Sequence, residues 1–154
     1  MEAKNSLNEI TAEQAKSAIK RLTDGYTGFY GPATINSTNC LLANKATNKK
    51  GDKGWVKCKV SNGQRNEIYV HRLALVAAER TDDISKLMID GNQVSHLCHQ
   101  STCFESSHLI VETKNENLDR NKCHGWQWIK CPCCKLYLNP CQHTPRCILP
   151  KPDN

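Results

Sequence analysis

Cys98, Cys103 and His108 stand at C-x4-C-x4-H spacing, and His96 precedes the first of them by two positions. Thiolate and imidazole donors this close in sequence suit a tetrahedral zinc ion, and three local ligands leave one to come from elsewhere. A second concentration follows, because Cys123, Cys131, Cys133, Cys134, Cys141, His143 and Cys147 put seven ligand-type residues within 25 positions. That density predicts a second zinc site. Ten cysteines in 154 residues accompany a hydrophobic content of 38% and an aromatic content of only 6%, so a thin apolar core calls for cross-links, either disulfides or metal. The opening Met1-Glu-Ala-Lys-Asn5 has no apolar signal core, and no run is long enough to cross a bilayer. An unexported chain with reduced thiols is therefore expected, and zinc is favoured over disulfides. The formal charge of +6 is compatible with a polyanionic partner but does not establish one, an ordinary solvated lysine-rich surface being the commoner explanation.

The elements that must hold these side chains are legible nearby. Val94 to Leu97 and Leu109 to Val111 are apolar runs of strand length on either side of the first ligand group. Thr113 with Glu116 makes a capping box that starts a helix near Lys114, giving the order strand, ligand loop, strand, helix. Upstream, Thr11-Ala-Glu-Gln14 is another capping box, and Ile10, Ala15, Ala18, Ile19 and Leu22 recur at helical spacing. They predict a helix over about 12–23 with a packing or dimer-supporting role. Gly25 to Thr38 reads as irregular and leads to the isolated Cys40, and residues 44–54 form a basic turn-rich loop, either solvated or in contact with phosphate.

Trp55 to Val60 alternates, with Val56, Cys58 and Val60 on one face and Trp55, Lys57 and Lys59 on the other. Ser61-Asn-Gly63 then turns the chain, and Asn66 to His71 returns as a second strand. Cys58, on the apolar face, reads as a core thiol rather than a zinc ligand. A twisted two-stranded ribbon fits the major groove of B-DNA, where Lys57, Lys59, Gln64 and Arg65 could reach phosphates and base edges; a plain solvated face is the simpler alternative. Residues 72–80 predict a helix backing the hairpin, ended by Thr81-Asp-Asp83. His71 and Arg72 sit at its start, within reach of a phosphate or with a structural role. Trp126, Trp128, Tyr137 and Leu138 are expected to pack around the second zinc.

The run Ser95-His96-Leu97-Cys98-His99, followed by Cys103, His108, Asn117, Arg120-Asn121 and Cys123, closely resembles the ββα-metal, or His-Me finger, motif of the His-Cys box homing endonucleases across almost thirty residues. The resemblance implies an α+β, zinc-stabilised ββα-metal nuclease fold with an antiparallel DNA-binding hairpin and short helices. It implies a single endonuclease domain: an N-terminal helix and loop over 1–39, the DNA-binding hairpin and helix over 40–93, the catalytic finger over 94–122, a second zinc region over 123–147 and a short tail over 148–154. Cys40 is the position matching the family's upstream ligand, completing Cys98, Cys103 and His108. For the second zinc the nearest match is Cys123, Cys141, His143 and Cys147. The inserted Cys131-Pro-Cys-Cys134 departs from the pattern, and Cys131 and Cys134 are alternative ligands there. Both zinc ions, two per chain, would be structural, since four protein ligands leave no open position.

Phosphodiester hydrolysis needs a base for water, a cation for the growing charge and correct positioning. The resemblance assigns the base to His96 and one Mg²⁺ to Asn117, whose amide oxygen is a hard donor, with Asn121 one helical turn later to assist. Arg65 is aligned with an arginine that contacts the scissile phosphate, and Arg72 is its rival. His99 is left with a surface or ligand-supporting role. The implied protein is a site-specific double-strand DNA endonuclease of intron homing, acting as a homodimer on a near-palindromic target, with no membrane association and an intracellular, nuclear location. The short tail has little of the family's C-terminal arm. The alternative is a zinc-stabilised DNA- or RNA-binding module without catalysis.

Overall fold

The computed structural model describes residues 6–24, 34–35, 38–59, 62–123 and 128–148. Among them the first helix, α1 (Ala12–Thr23), begins where its capping box predicts. Thr11 Oγ1 accepts from the Gln14 N–H at 3.2 Å, and Gln14 Oε1 accepts from the Thr11 N–H at 2.9 Å, a reciprocal cap contributing about 1 kcal/mol. Its apolar face buries Ala15, Ala18 and Leu22.

Two short strands, β1 (Thr34–Ile35) and β2 (Leu41–Leu42), pair antiparallel. The ribbon follows as β3 (Trp55–Lys59) and β4 (Arg65–Tyr69), with Trp55 opposite Tyr69 and Lys59 opposite Arg65. Alternation holds: Val56 and Cys58 are buried, and Lys57 and Lys59 are exposed. At the turn Gly63 takes a φ of +84°, which glycine adopts without steric cost, while Asn62 Oδ1 accepts from the Gln64 N–H at 2.9 Å. Val60, Ser61, Gly25 to Pro32 and Trp126 lie outside the described residues.

The return strand stops at Tyr69, and Val70 and His71 already belong to helix α2 (Val70–Ala77). The helix wins because Val70, Leu73, Ala74, Leu75 and Val76 are all buried in it. A second difference is α3 (Thr81–Met88), which occupies the segment expected to end a helix. Glu79 breaks the chain with a φ of +55°. Asp82 and Asp83 then sit in the first turn of the new helix, where negative charge is favourable, and Leu87 is buried beneath it. Arg80 Nε binds Asp83 Oδ2 at 2.6 Å, and Arg80 Nη1 reaches the Leu109 carbonyl at 2.9 Å.

The finger itself is β5 (Asn92–His96) paired antiparallel with β6 (Leu109–Thr113), then α4 (Lys114–Asn121). The predicted capping box is present, with Glu116 accepting from the Thr113 N–H at 2.8 Å and donating its own N–H to Thr113 Oγ1 at 3.2 Å. A last pair, β7 (Ile129–Lys130) and β8 (Tyr137–Leu138), forms a hairpin. All the described strands are thus two-stranded antiparallel pairs, set among helices in an α+β arrangement.

One apolar cluster joins α1, the ribbon, α2, α3 and the finger through Leu22, Val56, Ile68, Leu73, Leu87 and Val111. Two smaller buried clusters are built from cysteines with few apolar neighbours. Leu42 and Ile148 pack against Cys40, Cys98 and Cys103, and Trp128 against Cys123, Cys141 and Cys147. So little apolar surface cannot hold loops in place, and a bound ion with about 10 kcal/mol or more of binding free energy can. The arrangement suits a zinc-stabilised α+β fold. Among the described residues no helix is long and apolar enough to cross a membrane.

Candidate active site and metal centres

The first ligand group is assembled by β2. The Phe104 N–H donates to the Leu41 carbonyl at 2.9 Å and the Ala43 N–H to the Thr102 carbonyl at 3.0 Å, so the strand docks on the loop after β5 and carries Cys40 to it. Cys40, Cys98, Cys103 and His108 are all buried, with their ligand atoms within 4.8 Å of one another. His108 Nδ1 faces the sulfurs, 3.5 Å from Cys40 Sγ and 3.7 Å from Cys103 Sγ. Burial raises the Cys40 thiol, and the Cys98 sulfur followed by burial raises Cys103. Cys98 is lowered to about 5, mainly by the hydrogen bond from Cys103. Three buried sulfurs without a cation cannot all ionise, and a Cys3His set around zinc removes the conflict.

The second group is Cys123, Cys141, His143 and Cys147, again within 4.8 Å. His143 Nδ1 faces Cys141 Sγ at 3.4 Å, and its Nε2 meets Asp119 Oδ2 at 3.2 Å. A carboxylate behind a ligating imidazole fixes the ring and its tautomer, a role for Asp119 that the sequence did not reveal. Asn139 Oδ1 accepts from the Cys141 N–H at 2.9 Å, and its Nδ2 donates to the Cys147 carbonyl at 3.1 Å, closing the loop. Arg120 binds this loop to the finger. It forms a two-pronged ion pair with Glu112, at 3.0 and 2.9 Å, and donates to the Pro145 carbonyl at 2.9 Å. The Ile148 N–H reaches the Leu97 carbonyl at 2.7 Å. Cys131 and Cys134 stand apart, in a separate group with Cys133, and Cys58 lies in the apolar core.

His96, at the end of β5, turns its Nε2 to the Cys103 carbonyl at 3.2 Å. A carbonyl only accepts, so Nε2 carries the proton and Nδ1 keeps a lone pair. Burial is the main cause that lowers the His96 pKa to about 4. The ring stands 5.1 Å edge-on from His71, which stacks on Tyr69 at 5.0 Å, which in turn meets Trp55 at 3.7 Å. This row of rings connects the finger to the ribbon. Burial and the neighbouring His96 and Arg72 hold His71 well below the ordinary histidine value.

A cleft of about 480 Å³ opens beside His96, lined also by Asp52, Lys53, Tyr69, His71, Arg72, Gln93, Val94, Ser101 and Thr102. The basic loop therefore reaches the site through Lys53. Arg72 lies in the lining with its guanidinium 5.1 Å over the Tyr69 ring. Arg65 does not; it is at the far end of the ribbon, in a depression shared with Lys59, Glu13, Gln14, Ser17 and Arg21.

Asn117 is held at both ends of its amide. Its Oδ1 accepts from Ser95 Oγ at 2.9 Å and its Nδ2 donates to Gln93 Oε1 at 3.0 Å. Gln93 lines the cleft, so Asn117 meets its edge without being in the lining. Asn121 is exposed at the end of α4. Lys57, Lys59, Gln64 and Arg65 are all exposed on the ribbon, whose buried side touches α1 through Cys58 Sγ and the Gln14 carbonyl at 3.8 Å.

A family model described as the zinc-binding loop region of homing endonuclease matches residues 39–153. The chain belongs to the His-Cys box homing endonuclease family. No curated protein and no solved structure matches it. The matched span covers the ribbon, the finger and both Cys3His groups of this homing endonuclease-family chain, and leaves α1 outside it.

Proposed function

We propose that the protein is a Mg²⁺-dependent, site-specific double-strand DNA endonuclease with His96 as general base. The observation that carries this reading is the orientation of His96. A zinc-type loop fixes its Nε2 on the Cys103 carbonyl, so the Nδ1 lone pair is the one available to a water proton at a cleft flanked by Lys53 and Arg72. Arg72 suits the scissile phosphate better than Arg65, because it shares that cleft with His96. Asn117 is the candidate Mg²⁺ ligand: Ser95 and Gln93 fix the direction of its amide, and its carbonyl oxygen keeps a second lone pair. Mg²⁺ held there would stabilise negative charge growing on the phosphate and leaving oxygen.

Lys57, Lys59, Gln64 and Arg65 are the candidate contacts to duplex DNA along the ribbon. One finger cuts one strand, so two copies acting on a near-palindromic target break both. A nuclear site of action is consistent with such a target. The test is incubation of zinc-loaded protein with a randomised duplex library, with and without Mg²⁺. Omission is preferable to a chelator, which would also strip zinc. Cleavage at a single recurrent sequence only when Mg²⁺ is present is the expected result; stable complexes without strand breaks would leave a binding module.

A further inference from the structure

The β7–β8 hairpin carries a group of thiols that neither Cys3His site uses. Its turn is Cys131-Pro-Cys-Cys134, and the three sulfurs lie within 4.8 Å of one another, with Cys131 and Cys133 only 2.9 Å apart. Cys133 and Cys134 are exposed and Cys131 is half-buried, so packing does not explain why they converge. The turn is instead held by its backbone. The Lys135 N–H donates to the Cys131 carbonyl at 3.0 Å, and the Cys131 N–H to the Leu136 carbonyl at 2.8 Å. Lys135 adopts a φ of +61° to close it, a conformation costly for a residue with a Cβ. Its Nζ donates to the Pro132 carbonyl at 2.9 Å, and Lys130 lies over the Tyr137 ring at 5.4 Å.

We propose that Cys131, Cys133 and Cys134 form a third, surface zinc site on this turn. Thiolates brought this close repel unless a cation sits among them, and a soft, tetrahedral ion is the match for sulfur donors. Binding releases the thiol protons. Three ligands from one turn leave the fourth tetrahedral position to a ligand from outside it, so this ion exchanges faster than those of the two buried Cys3His groups. The site is independent of the nuclease reading.

The test uses the full chain, loaded with excess zinc, desalted under reducing conditions and analysed for metal. Three zinc ions per chain are expected, and two in Cys131→Ser/Cys134→Ser, with DNA cleavage and melting temperature unchanged. A competing chelator should remove one ion well before the other two in the parent. Alkylation followed by peptide mass spectrometry guards against a misfolded variant. Cys131, Cys133 and Cys134 of the parent should be protected while the third ion is bound and should react once it is removed. Equal zinc content in parent and variant, equal alkylation with and without zinc, or a disulfide among these residues in reduced protein would overturn the proposal.

Discussion

Two arginines compete for one task, and their positions separate them. Arg72 lines the cleft beside His96, whereas Arg65 sits at the opposite end of the ribbon. Arg72→Ala should therefore lower cleavage of bound DNA by roughly 10² or more, the scale of removing one transition-state charge interaction, while Arg65→Ala should weaken binding and leave single-turnover cleavage near the parent's. Reversed effects would return the phosphate contact to Arg65. Asn117→Ala should also cleave slowly and recover in part as Mg²⁺ is raised, since substrate oxygens and water still offer ligands; a metal titration of single-turnover rates reads this. Cys98, Cys103 and His108, which the fold brings together with Cys40, are legible in the sequence because their spacing is local, whereas Cys40 and the candidate pair His96 and Asn117 are read only through the family resemblance. The residues that aim these side chains are legible in neither way. Gln93, Ser95 and Asp119 are ordinary polar residues in sequence, and only the fold, with β5 lying against α4 and the second ligand loop returning to that helix, makes them partners of Asn117 and His143.

Elements are legible where a cap or an alternation marks them and obscure where tertiary burial decides. Both capping boxes place their helices, and the faces of β3 follow from period two. Helix α3 escapes a local reading because Asp82 and Asp83 signal a helix start as readily as an end, and the burial of Leu87 that settles it is not local. The ribbon is the element proposed to meet DNA. Replacing Lys57 and Lys59 together should weaken binding and reduce the magnitude of the slope of log K against log salt by about 2, close to one for each phosphate no longer neutralised. Unchanged affinity and slope in a salt titration would remove that face from the interface. The junction between the finger and the second ligand loop depends on Arg120, only 2% exposed and paired with the buried Glu112. Arg120→Ala strands that carboxylate, and denaturant unfolding should show a destabilisation of about 3–5 kcal/mol.

The whole molecule divides its stability between one apolar core and two cysteine centres, in keeping with a chain of few aromatics and ten cysteines. Removing zinc should therefore unfold the finger and the loop after it, visible as reduced amide protection over 94–123 and 139–148, with α1, the ribbon and α2 the last to exchange. Protection that persists across the finger without metal would contradict the structural role of zinc. The central claim, that this scaffold positions a base rather than merely gripping nucleic acid, is tested most directly by His96→Ala. Its zinc content and affinity for target DNA should stay near the parent's, because His96 is neither a member of a Cys3His group nor a residue of the ribbon. Its single-turnover cleavage at saturating Mg²⁺ should fall by roughly 10²–10⁴, the span of a positioned proton transfer, and added Mg²⁺ should not restore it. Near-parental cleavage by folded, DNA-bound His96→Ala would contradict the account.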